Sequence, residues 1–130
     1  MNQRFWSNNL IRLAALFGVI GAGLGAHMAG EGSYALRPIH AHILVAGWLT
    51  VFAWGIFYRV VDVKAPKLAI AHALTAIIGS IGLTVGMWLE FLNPLPISET
   101  INLLVYIIGG SILLVSFILF FFLTFFLPKD

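Results

Sequence analysis

The chain contains no cysteine and has few charged residues. The absence of cysteine from all 130 residues excludes disulfides, thiolate metal sites, iron–sulfur clusters and c-type heme attachment. Charged residues make up 9% of the chain and hydrophobic residues 61%, whereas a soluble domain is roughly a quarter charged and half apolar. The composition therefore indicates an integral membrane protein, and the small net charge of +2 gives no indication of nucleic-acid binding.

Four apolar runs are each long enough to cross a hydrocarbon core, which needs about 20 residues of helix. The runs are Leu10–Ala29, Ile39–Val61, Leu68–Phe91 and Ile101–Leu127. Pro38 stands just before the second run, where the first turn of a helix accepts proline, and Ser98 is a candidate N-cap for the fourth. We therefore predict an all-α membrane protein with a single domain, residues 1–130, of four transmembrane helices.

The lysines and arginines are distributed unevenly among the loops. With the N-terminus in the cytoplasm, six of the seven cations lie on the cytoplasmic side, and only Arg37 lies outside. The six are Arg4, Arg12, Arg59, Lys64, Lys67 and Lys129. This positive-inside bias predicts that both termini lie in the cytoplasm. We expect the first run to stay in the membrane, because it is longer than the apolar core of a signal peptide and lacks a clear cleavage site.

Two histidines, His40 and His42, stand at the start of the second run. Ionisable side chains at membrane depth are costly and mark functional sites, and histidine is a common ligand of metals and of heme iron. In the predicted topology His27 lies at the same outer depth, whereas His72 begins the third helix at the cytoplasmic side and cannot share the site. The sequence therefore predicts a ligand site in the outer third of the membrane.

His40 and His42 cannot both ligate one iron from the same helix, because residues i and i+2 project about 200° apart. Each therefore needs a ligand partner from elsewhere. A closed head-to-tail oligomer supplies this second ligand, because His40 of one protomer and His42 of the next can then bind the same heme. Arg37 lies about one turn outward and is a candidate partner for a heme propionate. This geometry leaves the number of subunits open.

Other interpretations remain open for the same residues. A lone intramembrane histidine often serves as a hydrogen-bonding contact between helices, which is the favoured interpretation for His27 beside the pattern Gly21-x-x-x-Gly25. Alternatively, His27 with His40 or His42 binds copper or another transition metal that reacts with oxygen or nitric oxide. A small transporter is a further alternative, although such exporters usually carry a carboxylate in the first helix. The last alternative is a non-catalytic accessory subunit of a larger oxidase.

The segment around His40 resembles a known family. Leu36-Arg37-Pro38-Ile39-His40, followed by Gly47-Trp48 and Phe57-Tyr58, is similar to the second helix of the catalytic subunit of heme–copper oxidases. The similarity is to the branch of cbb-type cytochrome c oxidases and nitric oxide reductases. In that family the histidine after Arg-Pro-aliphatic ligates the low-spin heme b, which the resemblance places on His40. The family also carries a His-x-His motif whose histidines ligate two different hemes, and His40-Ala41-His42 is similar to it.

The resemblance implies an assembly as well as a cofactor. The family's catalytic subunit has twelve helices in three four-helix arcs, so three copies of this chain, as a homotrimer, would rebuild the ring. It implies heme b between His40 and His42 of adjacent protomers, electron transfer or redox or gas sensing, and a quinol or cytochrome c as redox partner. The three further histidines of the family's copper site are not assigned here. Whether the chain is an oxidoreductase with turnover is therefore left open.

Overall fold

Four helices form the protein in a computed structural model that describes residues 1–128. They are α1 (Gln3–Glu31), α2 (Arg37–Val60), α3 (Pro66–Leu92) and α4 (Glu99–Phe126). Each is long and apolar enough to cross a membrane, and no residue from 1 to 128 lies in a strand. The predicted all-α fold with four helices long and apolar enough to span a membrane is therefore confirmed for this part of the chain. Lys129, which entered the charge count, lies outside the described residues.

The helix ends follow local signals in the sequence. The side chain of Asn2 accepts a hydrogen bond from the first turn of α1 at 3.0 Å, so α1 begins well before its apolar run at Leu10. Pro38 lies in the first turn of α2, as predicted. The hydroxyl of Ser98 caps α4 at 3.3 Å, which confirms the predicted N-cap. Gly32 ends α1 with a φ of 66°, a left-handed conformation that glycine adopts without strain.

Helix α2 changes its helical type along its length. It is α-helical over Arg37–His42, π-helical over Ile43–Thr50 and α-helical again over Val51–Val60. Within the π segment the hydroxyl of Thr50 donates to the carbonyl of Val45, five residues earlier, at 2.8 Å. A Cβ at Gly47 would lie 2.8 Å from Cδ1 of Phe17, so glycine lets this wider turn pack against α1. The apolar pattern did not predict the π segment, which begins directly after His42.

Helices α1 and α2 form one antiparallel pair. Glycines bring the two helices close together at several points along their length. A Cβ at Gly55 would lie 2.7 Å from Cγ1 of Ile11, and a Cβ at Gly18 would lie 3.3 Å from Cε3 of Trp48. The same packing brings Gly25 of α1 against the ring of His40. Small residues on both helices therefore set the distance at which α2 passes α1.

Helices α3 and α4 form the second antiparallel pair, which packs backbone against backbone. A Cβ at Gly82 would lie 2.9 Å from Cα of Gly109, and a Cβ at Gly79 would lie 2.6 Å from Cα of Leu113. A Cβ at Gly86 likewise meets the backbone of α4. No flexible side chain lies at these points to move aside, so the close approach depends on glycine.

The loops define two ends of the bundle. Residues 32–36 and 93–98 lie at one end, called here the 32–36 end, and residues 61–65 lie at the other, called the 61–65 end. At the 61–65 end the side chain of Gln3 donates to the carbonyl of Val61 at 2.6 Å and accepts from the amide of Val63 at 3.2 Å. The start of α1 is therefore tied to the loop between α2 and α3.

Candidate functional site

The ring of His40 lies between α2 and α1 at the 32–36 end, where it is partly buried. Its Nδ1 lies 2.8 Å from the carbonyl oxygen of Gly21 on α1. Because a carbonyl only accepts, Nδ1 carries the hydrogen and donates it, and in the neutral ring the lone pair is then on Nε2. A Cβ at Gly25 would lie 2.9 Å from Cε1 of His40. Two points on α1 therefore fix this ring.

The ring of His42 has a different environment. It is exposed, and its Nδ1 lies 2.8 Å from the carbonyl oxygen of Pro38, one turn earlier on the same helix. The same argument applies, because this carbonyl also only accepts. Nδ1 therefore carries the hydrogen, and in the neutral ring the lone pair of His42 is on Nε2.

His40 and His42 thus share one hydrogen-bonding pattern. In each ring Nδ1–H is bound to a backbone carbonyl and Nε2 is the basic nitrogen. Metal-ligating histidines have this pattern, since the Nδ1–H bond fixes the tautomer, orients the ring and raises the basicity of Nε2. The two rings also lie in different surroundings, one against α1 and one exposed. The arrangement suits two ligands that bind on two sides of α2.

Arg37 lies at the same end of the bundle, in the first turn of α2. It is exposed, and its guanidinium carbon lies 5.2 Å from the centre of the Tyr34 ring. Among residues 1–128, no carboxylate forms an ion pair with it. A planar guanidinium in this position can bind a carboxylate through two parallel hydrogen bonds.

His27 forms a contact within its own helix. Its Nε2 lies 3.3 Å from Oε2 of Glu31, one turn later, and both side chains are exposed. Across the part of the chain that the structure describes, no three histidine, cysteine, aspartate or glutamate side chains are grouped as a metal site would need. A copper site on His27 with His40 or His42, as predicted from the sequence, would use only two of these side chains and stays a prediction.

His72 lies toward the 61–65 end, away from the other histidines. It is completely buried, although the sequence analysis placed it at the surface end of its helix. Its Nδ1 lies 2.6 Å from the hydroxyl oxygen of Tyr58, which also lies 3.0 Å from the carbonyl of Ala69. The rings of Trp54 and Phe120 pack around it at centroid distances of 4.7 and 5.3 Å. His72 therefore ties α2 to α3 in the core of the bundle.

Two residues that position the imidazoles of His40 and His42 were not identified as such from the sequence. The carbonyl groups of Gly21 and Pro38 hold the two imidazoles. The pattern Gly21-x-x-x-Gly25 indicated close packing, but backbone acceptors leave no sequence signal. Comparisons with protein-family models, with curated proteins and with solved structures gave no match to this chain. The resemblance to heme–copper oxidases stays a prediction.

Proposed function

We propose that this chain is a heme b protein of the bacterial inner membrane with both termini in the cytoplasm. Three copies form a closed ring, and each heme lies between two protomers, with His40 of one and His42 of the next as axial ligands. A heme bound in this way supplies reversible one-electron chemistry and suits electron transfer or redox or gas sensing. The observation that carries the proposal is the shared tautomer of His40 and His42, whose Nδ1 atoms both donate to carbonyls.

The donor set fits heme iron. Heme b takes neutral imidazole nitrogens as axial ligands, and both rings offer Nε2. Because His40 and His42 are two residues apart on an α-helical segment, their side chains point about 200° apart. One protomer cannot give both to the same iron, whereas a head-to-tail ring pairs each His40 with a His42. This count supports a closed ring, and the resemblance to a twelve-helix subunit supports three copies.

Arg37 provides the polar end of the proposed site. It lies three residues before His40 and is exposed at the 32–36 end. A heme between protomers presents its propionates to water, so Arg37 would bind a propionate of a heme held at this end. The 32–36 end faces the outside in the predicted topology. A quinol or a cytochrome c would then exchange electrons with the heme from that side.

Alanine variants of the two histidines test the proposal. We expect His40→Ala and His42→Ala each to abolish the low-spin absorption spectrum of the reduced protein, because each removes one ligand from every heme. His27→Ala is the matched control, since His27 lies near the same end but bonds only Glu31 in the described structure. It should keep the full spectrum. The readout is the dithionite-reduced absorption spectrum in detergent.

The double variant decides the assignment of ligands. With His40 and His42 both replaced, no low-spin heme spectrum should remain after purification. A low-spin spectrum that survives the double change would contradict the assignment. Size-exclusion chromatography with light scattering, run on every variant, separates a loss of heme from a loss of the folded oligomer.

A further inference from the structure

A groove of about 420 Å³ runs between α1 and α3. One wall is a face of α1 over residues 13–24, and the other is a face of α3 over residues 81–88. Ile39 and Ile43 of α2 form the floor, where their side chains are 2% and 6% exposed. The groove therefore opens on the side of the bundle that faces away from α2.

The groove exists because the glycines of α1 and α3 make other contacts. On α1, Gly18 and Gly21 face side chains of α2, and on α3, Gly82 and Gly86 face the backbone of α4. The faces that α1 and α3 turn toward each other carry larger side chains. These side chains hold the two helices apart, since close packing of helices in a membrane needs small residues at the contact.

The lining of the groove is apolar apart from the hydroxyl of Thr84 and the indole of Trp88. Thr84 is 6% exposed, and its hydroxyl donates to the carbonyl of Ser80 on the same helix at 2.9 Å. Trp88 lies about one turn before α3 ends at the 32–36 end, and an indole ring suits the level of lipid head groups. The lining therefore excludes a charged ligand and favours a hydrocarbon.

The shape of the groove favours a single chain over a helix. Residues 13–24 span roughly 17 Å of α1, so the volume of about 420 Å³ corresponds to a mean cross-section of roughly 25 Å². A helix with its side chains is about 10 Å across and is too wide to enter. An extended hydrocarbon chain is narrow enough, and the groove runs along the helices, which is the direction of lipid chains in a bilayer.

The exposed phenylalanines of α4 do not reach this groove from a neighbouring copy. Phe117 and Phe125 are exposed toward the end of α4, which lies at the 61–65 end. The groove lies toward the 32–36 end, where Ile39 and Trp88 line it. In a closed ring whose axis is perpendicular to the membrane, equal ends lie at equal depth. These rings would therefore lie at the wrong depth to fill the groove.

We propose that the groove binds one acyl chain of a bilayer phospholipid, whose head group lies at the level of Trp88. The chain fills the gap between the α1–α2 pair and the α3–α4 pair and makes the contacts that α1 and α3 do not make with each other. The protein with bound lipid is therefore the more stable form. This site is separate from the proposed heme ligands, because neither His40 nor His42 lines the groove.

The experiment measures phospholipid retained by the full-length protein. Native mass spectrometry in detergent, with added dioleoyl-phosphatidylglycerol, should show one phospholipid per chain. Adding this lipid back to delipidated protein should raise its Tm, because the lipid binds the folded state. Val85→Phe places a phenyl ring in the groove from the wall on α3 and should retain about tenfold less lipid, since an occupied site is then overpacked.

Val19→Phe is the matched control. Val19 is 72% exposed on α1 and lies outside the groove, so the same added ring should leave lipid retention and the rise in Tm unchanged. Ile20→Phe fills the groove from the opposite wall and should reproduce the loss of lipid, which keeps the test valid if Val85→Phe does not fold.

Three results would overturn the proposal. The first is equal retention of phospholipid by the groove-filling variants and Val19→Phe. The second is an adduct of another mass, such as an isoprenoid, in place of the phospholipid. The third is an unmodified protein without retained lipid whose oligomer, measured by light scattering, dissociates in Val85→Phe, because a second copy would then cover the groove.

Discussion

Replacing Gly109 by alanine should destabilise the protein by about 3 kcal/mol, at the upper end of the cost of overpacking. A Cβ at this position would collide with backbone atoms of Gly82 and Leu83 on α3. Backbone atoms cannot rotate away as a side chain can, so α3 and α4 must move apart along their length. Thermal unfolding in detergent, followed by circular dichroism, measures the loss.

Gly110 gives a matched control for this prediction. It is the next residue on the same helix, and a Cβ there would lie 3.5 Å from Cδ1 of Leu83, an ordinary contact with a flexible side chain. Gly110→Ala should therefore not destabilise the protein, and it should stabilise it by up to about 1 kcal/mol because alanine has the higher helix propensity. Equal thermal stability of the Gly109→Ala and Gly110→Ala variants would contradict the close packing of α3 on α4.

In the proposed heme site, replacing Gly25 by alanine should weaken heme binding by about 10- to 100-fold, the usual effect of disturbing a group that orients a metal ligand. The new Cβ would lie 2.9 Å from Cε1 and 3.5 Å from Nε2 of His40. The ring cannot retreat and keep its hydrogen bond to Gly21. Heme titration gives the affinity, and electron paramagnetic resonance of the oxidised protein reports the tilt of the ligand.

Gly23 is the control for Gly25 on the same helix. Nothing lies within 4 Å of a Cβ placed at Gly23, so Gly23→Ala should bind heme as the unmodified protein does. This comparison separates a local effect on His40 from a general effect of alanine in α1. Equal heme affinity in the two variants would show that the contact with Gly25 does not position the ligand.

Hydropathy and capping residues account for most of the fold. The apolar runs predicted four spans, and Pro38 and Ser98 marked two of the helix starts correctly. The start of α1 was missed, because hydropathy detects the span and not the helix, whose first turns are polar and capped by Asn2. Local signals therefore predict which segments are helical better than they predict where each helix begins.

Contacts between helices were less predictable. The pairing of Tyr58 with His72 depends on how α2 crosses α3, and no local pattern contains that angle. The π segment before Val51 depends on how Gly47 packs against Phe17 of α1. For the candidate site, the sequence identified the two imidazoles, but the carbonyls that fix their tautomers follow only from the packed backbone.

The absorption spectrum of the purified protein, oxidised and dithionite-reduced, tests the central claim most directly. Pyridine hemochrome quantitation then gives the heme content per chain. The proposal predicts sharp reduced bands of b-type heme at about one heme per chain, because each protomer contributes one His40 and one His42 to the ring. A colourless protein after heme-supplemented expression would contradict it.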